Sequence, residues 1–253
     1  MKKYVNVSYG NGDFRRQVLD VYLPEAESFP VFVYFHGGGM EYGDKSESIF
    51  YEDLCNMGVA VVTANYRMYP YATYPDFIWD AAAATAWAIN NMQKHGEVKG
   101  IYVGGSSAGG YLTQMLCFDK RYLAIHKINA DDISGYIMDA GQPTVHFNVL
   151  KERGFDPRRV IVDEAAPLYH ICEERNYPPM NIIVSDNDMR NRFEQTELLV
   201  STLKHMGHED KIKYTLVENS NHCGYLGLRD ENGVAVFAKM ITEFIKWCEE
   251  RKK

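Results

Sequence analysis

Short apolar runs alternate with longer amphipathic stretches along most of the chain. Runs of this length between turn residues are typical of buried strands, and they are Val31–Phe35, Val59–Ala64, Gly100–Val103, Gly135–Met138, Met180–Val184 and Lys213–Glu218. The intervening stretches are predicted to be helices, namely Ser46–Met57, Asp76–Asn91, Ala108–Phe118, Arg192–Met206 and Val234–Glu250. Because strands that alternate with helices form mostly parallel sheets covered on both faces, the pattern predicts an α/β fold.

Two further strands are predicted near the N-terminus. Lys3–Tyr9 and Arg16–Leu23 alternate apolar and polar residues around the turn sequence Gly10-Asn11-Gly12-Asp13, which predicts an antiparallel hairpin at a sheet edge. The length of 253 residues suits a single domain, 1–253. Only Asp139–Tyr177 departs from the alternation, and we expect it to be an insertion after the sixth strand.

Composition excludes several classes of protein. The net charge of −7 argues against nucleic acid or an anionic membrane as a partner. No apolar stretch approaches the length of a transmembrane helix, and the N-terminus lacks the apolar run of a signal peptide. The cysteines are scattered, odd in number and without a C-x-x-C motif, which predicts reduced thiols and a cytoplasmic location. They are Cys55, Cys117, Cys172, Cys223 and Cys248.

The histidines and carboxylates show no spacing typical of metal ligands, so neither a metal nor another cofactor is expected. The oligomeric state is left open by the sequence, with a homodimer as one alternative.

The first candidate for chemistry is Ser107, in the G-x-S-x-G sequence Gly105-Ser106-Ser107-Ala108-Gly109 directly after an apolar stretch. A serine exposed on a sharp strand-to-helix turn needs neighbours without bulky side chains, which this spacing of glycines supplies. The N–H groups at the start of the following helix favour negative charge at the same point.

A second motif, His36-Gly37-Gly38-Gly39, follows the apolar run Val31–Phe35. Three consecutive glycines leave backbone N–H groups accessible and allow a substrate oxygen to approach closely.

Together, HGGG and G-x-S-x-G resemble the α/β-hydrolase superfamily, in particular the branch that includes hormone-sensitive-lipase-like carboxylesterases and small bacterial acetyl- or feruloyl-esterase-like enzymes. The resemblance implies an eight-stranded, mostly parallel sheet with a small cap after strand six. It also implies a serine esterase that forms an acyl-enzyme through a triad in the order serine, acid, histidine. The oxyanion would be held by N–H groups of Gly38, Gly39 and Ala108.

For the histidine of this triad the prediction is His222. It follows the last strand-like run across the polar turn Asn219-Ser220-Asn221, which matches the catalytic position of the family. His205 and His208 lie at the end of a charged helix and are expected to be solvated.

Two carboxylates compete for the role of the acid, because Ser185-Asp186-Asn187-Asp188-Met189 follows the strand Met180–Val184. In related esterases the acid lies about four residues past the strand, which favours Asp188. Asp186 is the alternative, and the loser would have an ordinary turn function.

Three other groups of residues have weaker predicted functions. Gln142 is expected near the floor of a shallow acyl pocket, as a substrate contact. Cys223 is interpreted as a packing residue because the nucleophile position belongs to Ser107. In the family's "DYR…P…D" region the residues brace the oxyanion loop, and we expect this for Asn65-Tyr66-Arg67, Tyr74-Pro75 and Asp80.

The expected partner is a small-molecule ester with a short acyl group, with acetyl or hydroxycinnamoyl esters of carbohydrates as the implied class. A second enzyme remains open, an arylformamidase acting on N-formylkynurenine, although Met40 stands where its usual HGG-x-W motif has tryptophan. A non-catalytic protein that binds a small ligand on the same fold is the alternative from another class.

Overall fold

The computed structural model describes residues 1–10, 12 and 15–251. Within them a single eight-stranded sheet has the strand order β1-β2-β4-β3-β5-β6-β7-β8. The strands are β1 Lys2–Ser8, β2 Val18–Leu23, β3 Ser28–Phe35, β4 Ala60–Ala64, β5 Glu97–Ser106, β6 Gly135–Asp139, β7 Met180–Asn187 and β8 Ile212–Asn221. The α-helices are α1 Tyr51–Asn56, α2 Asp76–Asn91, α3 Ala108–Phe118, α4 Arg121–Ala124, α5 Phe147–Glu152, α6 Arg192–His205 and α7 Val236–Glu250.

Pairing in the sheet confirms the predicted fold class. Strand β2 runs antiparallel to both β1 and β4, and the other neighbours pair in parallel. The predicted N-terminal hairpin is therefore present at the sheet edge, whereas Asn11 and Asp13 of its predicted turn lie outside the described residues. None of the helices in the described ranges has the length and apolar character needed to cross a membrane.

The sheet is buried on both faces, and strand β3 shows how. Val31, Val33 and Phe35 point into a core formed with α2 and α3, whereas Phe32 and Tyr34 point into a second core formed with α1 and α7. Successive side chains of a strand face opposite sides, so a strand buried twice has a continuous apolar sequence. Each fully buried large apolar side chain stabilises the fold by about 1.5–3 kcal/mol.

Several boundaries differ from the predicted ones for local reasons. The stretch predicted as helical from Ser46 forms α1 only from Tyr51, because Asp44 accepts hydrogen bonds from both the N–H and the hydroxyl of Ser46 and holds a turn there. Strands β7 and β8 continue past their apolar runs, and their pairing extends to Asn187 and Asn221. This extension brings the polar residues at the ends of β7 and β8 next to each other.

Residues 139–177, the expected insertion, contain α5 and a short 3-10 helix, Pro167–His170. The segment is tied to the helix behind the candidate nucleophile because the Tyr111 hydroxyl donates to the Ala165 carbonyl over 2.7 Å. The same region covers the end of α6, where His208 bonds to the Cys172 carbonyl and packs edge-on against Tyr177. His208 is only 6% exposed, so its expected solvation is wrong, whereas His205 is exposed as expected.

Candidate active site

The candidate chemistry converges at the carboxyl ends of the parallel strands. The loops that follow β3, β5, β7 and β8 carry the glycine run, Ser107, Asp188 and His222, respectively. The carboxyl edge of a parallel sheet is the usual place for a ligand in such folds.

Ser107 occupies the turn between β5 and α3 with φ 55° and ψ −111°. A residue with a side chain rarely adopts positive φ, so the surrounding backbone has to hold this conformation. A Cβ at Gly109 would lie 1.9 Å from the Phe35 carbonyl oxygen, and one at Gly105 would lie 2.4 Å from the Gly109 oxygen. The two glycines of the motif are therefore required by close backbone packing around the serine.

Three side chains form a continuous hydrogen-bonded chain in this turn. His222 Nε2 lies 2.8 Å from Ser107 Oγ, and His222 Nδ1 lies 2.6 Å from Asp188 Oδ1. In the neutral imidazole, Nδ1–H donates to the carboxylate and Nε2 accepts the serine O–H. The Asp188 side chain is fully buried, and that of His222 is 23% exposed. The structure thus brings together the three residues predicted as nucleophile, base and acid.

Asp186, the alternative acid, has other partners. Its carboxylate accepts the backbone N–H of Asn219 over 2.8 Å and that of Ser220 over 3.1 Å. These backbone hydrogen bonds lower the pKa of the Asp186 carboxyl. Asp186 thereby fixes the turn that leads into His222, and it does not contact the imidazole through either oxygen.

The glycine loop lies beside the serine. A Cβ at Gly37 would come within 3.3 Å of Ser107 Cβ, and Gly38 and Gly39 both have positive φ, 103° and 61°. The Gly38 carbonyl accepts the N–H groups of Glu41 and Tyr42, which closes a tight turn. Among the described residues, nothing accepts the N–H of Gly38 or Gly39.

A third N–H belongs to Ala108, the first residue of α3, where a helix has no internal acceptor for its N–H groups. Gly38 and Gly39 on the glycine loop and Ala108 at the start of α3, the residues predicted to form the oxyanion hole, thus provide N–H groups near Ser107.

His36 and Tyr66 support the glycine loop from its buried side. The two rings stack with centroids 4.5 Å apart, and His36 Nδ1 bonds to the Gly37 carbonyl over 2.7 Å. Burial lowers the pKa of His36 to about 4, so this imidazole is neutral at physiological pH and acts as a packing and hydrogen-bonding support. Nearby, Arg67 binds the buried carboxylate of Asp80 through two nitrogens, which anchors the following segment.

Gln142 does not have the contacts expected of a substrate-binding residue. Its Nε2 donates to Thr144 Oγ1 and to the Val145 carbonyl, and its Oε1 accepts from Arg192. The side chain is only 5% exposed, because it is enclosed by its own loop and by Arg192 of α6. These hydrogen bonds give Gln142 a structural function, and its contact with a substrate stays a prediction.

Arg192 is a residue of the site that sequence analysis missed. Arg192 is 4% exposed, and its guanidinium donates to the Ala140 carbonyl and, over 3.2 Å, to Gln142. Burial lowers the pKa of Arg192, and the charge of Asp188 opposes this change. The buried guanidinium cation of Arg192 thereby balances the negative charge of the Asp188 carboxylate. The only indication in the sequence is an arginine at the start of the helix after the acid loop.

Cys223 lies directly beside the imidazole, with Sγ 3.9 Å from His222 Nε2. Burial raises the pKa of this thiol well above its ordinary value, so the thiolate needed for a nucleophile is disfavoured. The geometry fits its predicted function in packing.

A cavity of about 270 Å³ flanks the glycine loop. Its walls come from Gly37 and Gly38 on one side and from Leu226, four residues after His222, on the other. Tyr42 and Glu47 give it a partly polar lining.

Known proteins resemble this chain in both sequence and fold. Kynurenine formamidase of Salmo salar is 31% identical over 115 residues, which are 44% of this chain and 37% of that protein. Esterase LipC of Mycobacterium tuberculosis is 26% identical over 217 residues, 76% of this chain and 53% of that protein. The chain thus spans about half, or less, of the length of these curated relatives.

Solved structures of esterases share the fold. Esterase B from Lactobacillus rhamnosus superposes with a TM-score of 0.81 at 17% identity, covering 99% of this chain and 87% of that one. A truncated carbohydrate esterase from gut microbiota superposes with a TM-score of 0.78 at 19% identity, covering 96% of each chain. The family model BD-FAE matches residues 19–150, just over half of the 253 residues. This chain therefore has an α/β-hydrolase fold and belongs to the BD-FAE family.

Proposed function

We propose that this protein is a serine carboxylesterase that hydrolyses short-chain acyl esters. The observation that carries the proposal is the hydrogen-bonded chain from Ser107 through His222 to Asp188, set beside N–H groups on the glycine loop. Support comes from the esterases among the relatives and among the proteins of the same fold.

In the proposed acylation step, Ser107 Oγ attacks the ester carbonyl carbon while His222 Nε2 takes the hydroxyl proton. The carbonyl oxygen becomes an oxyanion that accepts hydrogen bonds from Gly38, Gly39 and Ala108. Asp188 holds the imidazole tautomer and stabilises the imidazolium. When the tetrahedral intermediate collapses, the bond to the alcohol oxygen breaks, and His222 gives its proton to the departing alcohol.

Deacylation repeats this sequence with water. His222 removes a proton from the water, the hydroxide oxygen attacks the acyl carbon, and the bond to Ser107 Oγ breaks as the serine regains its proton. Removing one oxyanion donor from such a site typically costs about 3–4 kcal/mol of transition-state stabilisation.

For the substrate we propose an acetyl or hydroxycinnamoyl ester of a carbohydrate. The small, partly polar cavity beside the glycine loop supports a compact substrate with hydroxyl groups. A carbohydrate esterase among the proteins of the same fold supports this class. The cysteines are scattered in the sequence and odd in number, which supports the expected cytoplasmic location.

The function is tested by assaying purified protein with p-nitrophenyl acetate and with acetylated xylo-oligosaccharides, beside Ser107→Ala. We expect turnover by the wild type and loss of about 10⁴-fold or more in the variant. Absence of turnover, with a ligand bound intact, would favour the non-catalytic alternative.

A second candidate is formamide hydrolysis, favoured by the similarity to kynurenine formamidase. The same triad can attack a formyl carbon, with an aromatic amine as the leaving group. Parallel assays with N-formylkynurenine decide this point, because a kcat/KM that exceeds every ester tested would replace the esterase proposal.

A further inference from the structure

A buried carboxylate that the proposed mechanism does not use lies behind the nucleophile. Asp139 is the last residue of β6, is fully buried and pairs in register with Ser106. Its carbonyl accepts the backbone N–H of Ser107 over 2.8 Å. Asp139 therefore contacts the turn of the nucleophile directly through its main chain.

The side chain of Asp139 joins this turn to the segment that follows the catalytic histidine. The Tyr225 hydroxyl donates to Asp139 Oδ1, and Tyr225 lies three residues after His222. The Ser106 hydroxyl also bonds to the carboxylate and accepts the Tyr34 hydroxyl over 3.0 Å. One carboxylate thus connects the ends of β3, β5 and β6 with the histidine loop.

This arrangement is costly for folding. A buried carboxylate loses its hydration, and the loss is offset only when both oxygens are well bonded. Asp139 Oδ2 has no hydrogen-bond partner among the described residues. A neutral asparagine could accept the Tyr225 bond without burying a charge, so the presence of a carboxylate calls for a function of the charge itself.

The charge lies close to the catalytic centre, because Asp139 binds the Ser107 N–H through its carbonyl and Tyr225, three residues after His222, through its carboxylate. Burial raises the pKa of the Asp139 carboxyl to about 6, while its hydrogen bonds with Ser106 and Tyr225 and the His222 cation oppose the rise. Tyr34, Asp188 and Cys223 are the other titratable groups around it. The guanidinium of Arg192 donates a hydrogen bond to the carbonyl of Ala140, the residue after Asp139.

We propose that Asp139 is a positioning residue for His222, which holds the histidine loop against the nucleophile through Tyr225 and whose negative charge favours the imidazolium. This rests on the proposed esterase function. Two contributions follow, a tether that Tyr225→Phe removes and a charge that Asp139→Asn removes while an acceptor oxygen remains for Tyr225.

The test compares Asp139→Asn, Tyr225→Phe and the double variant for kcat, KM and Tm. Two controls remove similar groups elsewhere. Asp119→Asn changes a buried carboxylate bonded to Arg121, and Tyr136→Phe removes a buried hydroxyl bonded to the Ala130 carbonyl. We expect each test variant to lower kcat by about 10- to 100-fold with KM within about twofold, as small misplacements of a catalytic group do. The controls should keep the wild-type kcat.

A second readout does not depend on turnover. The rate at which a fluorophosphonate probe labels Ser107, followed by mass spectrometry, should fall by about 10- to 100-fold in Asp139→Asn and in Tyr225→Phe and stay unchanged in the two controls. If the wild type hydrolyses no ester but this slower labelling is seen, the esterase proposal fails and the coupling of Asp139 to His222 stands.

The double variant adds a further test. Because both changes act on one loop, the combined loss in kcat should be smaller than the product of the single losses. The proposal is overturned if both single variants retain kcat within about twofold of wild type, or if Ser107 is labelled at the wild-type rate in Asp139→Asn. Should Asp139→Asn fail to fold, Tyr225→Phe with wild-type kcat would still overturn the tether.

Discussion

The strained backbone conformation of Ser107 is maintained by a backbone hydrogen bond and by close packing at a glycine of its motif. A φ of 55° at a residue with a side chain costs about 1–3 kcal/mol, and it persists only where the surroundings fix it. Here the Ser107 N–H donates to the Asp139 carbonyl, and Gly109 packs against the Phe35 backbone without room for a methyl group. The G-x-S-x-G spacing thus follows from the geometry that exposes Oγ to His222.

At the same scale, the two acidic residues after β7 should behave differently. Asp188→Asn leaves a donor or a weaker acceptor facing His222 Nδ1 and favours the wrong imidazole tautomer, so kcat should fall by about 10⁴-fold with little change in Tm. Asp186→Asn is the matched control, because it alters only the turn at Asn219 and Ser220. Steady-state kinetics of both variants checks this, and a larger loss in Asp186→Asn would move the acid to that residue.

Removing the Asp139 charge should change stability as a function of pH. The folded-state pKa of about 6 lies above the ordinary 3.8, so the ionised carboxylate disfavours the folded state at neutral pH. This penalty disappears as the pH falls through about 6 toward 3.8, because the folded state then takes up its proton more readily. Thermal unfolding should therefore show Asp139→Asn at or above the wild-type Tm at pH 7.5, with the advantage lost near pH 4. A Tm advantage confined to low pH would contradict this.

Some of the proposed residue functions could be predicted from the sequence and others could not. Ser107 and His222 follow from motif and chain order, because glycine spacing and a polar loop after the last strand are local features. Asp188 and Asp186 lie two positions apart in one loop. Their functions differ because Asp186 accepts N–H groups of a turn distant in sequence, whereas Asp188 binds the His222 imidazole. The burial of His208 and the bond between Gln142 and Arg192 depend on segments remote in sequence, which no local pattern reveals.

At the scale of elements, the polar extensions of β7 and β8 bring the acid and histidine loops together. Ser185 Oγ donates to the Asn221 carbonyl over 2.8 Å, and Asn187 pairs with Asn221 at the end of the ladder. Hydrophobic periodicity locates the apolar centres of these strands but not their ends, since the final residues are polar. Sequence analysis predicted the central strands and α2 and α3 well for this reason, and it lengthened α1 into a turn.

Loosening this ladder should affect catalysis more than a comparable change elsewhere. Ser185→Ala removes the bond to Asn221 next to His222, and we expect a cost of about 1 kcal/mol in stability together with a several-fold lower kcat. Thr85→Ala is the control, because it removes a buried hydroxyl bond to the Ala81 carbonyl within α2. Denaturant unfolding and kinetics of both variants check this, and equal kcat values at equal stability loss would show that the ladder does not position His222.

For the whole molecule, we predict a preference for short acyl groups from the small cavity beside the glycine loop. A volume of about 270 Å³ accommodates a short acyl or compact alcohol group. Each methylene that fits gains about 0.8 kcal/mol of burial, whereas one that clashes loses more. The kcat/KM of p-nitrophenyl esters should therefore fall from acetate or propionate through butyrate to octanoate. A maximum at octanoate would indicate an open groove for lipids and would exclude the carbohydrate-acetyl proposal.

The central claim is that Ser107 forms a covalent acyl-enzyme, and trapping that intermediate tests it most directly. Protein mixed with p-nitrophenyl acetate is quenched in acid, digested and analysed by mass spectrometry beside Ser107→Ala. We expect the peptide that contains Ser107 to gain one acetyl group in the wild type and the corresponding peptide of the variant to remain unmodified. Ester turnover that persists in Ser107→Ala, or an acetyl group found on Cys223 instead, would contradict the account.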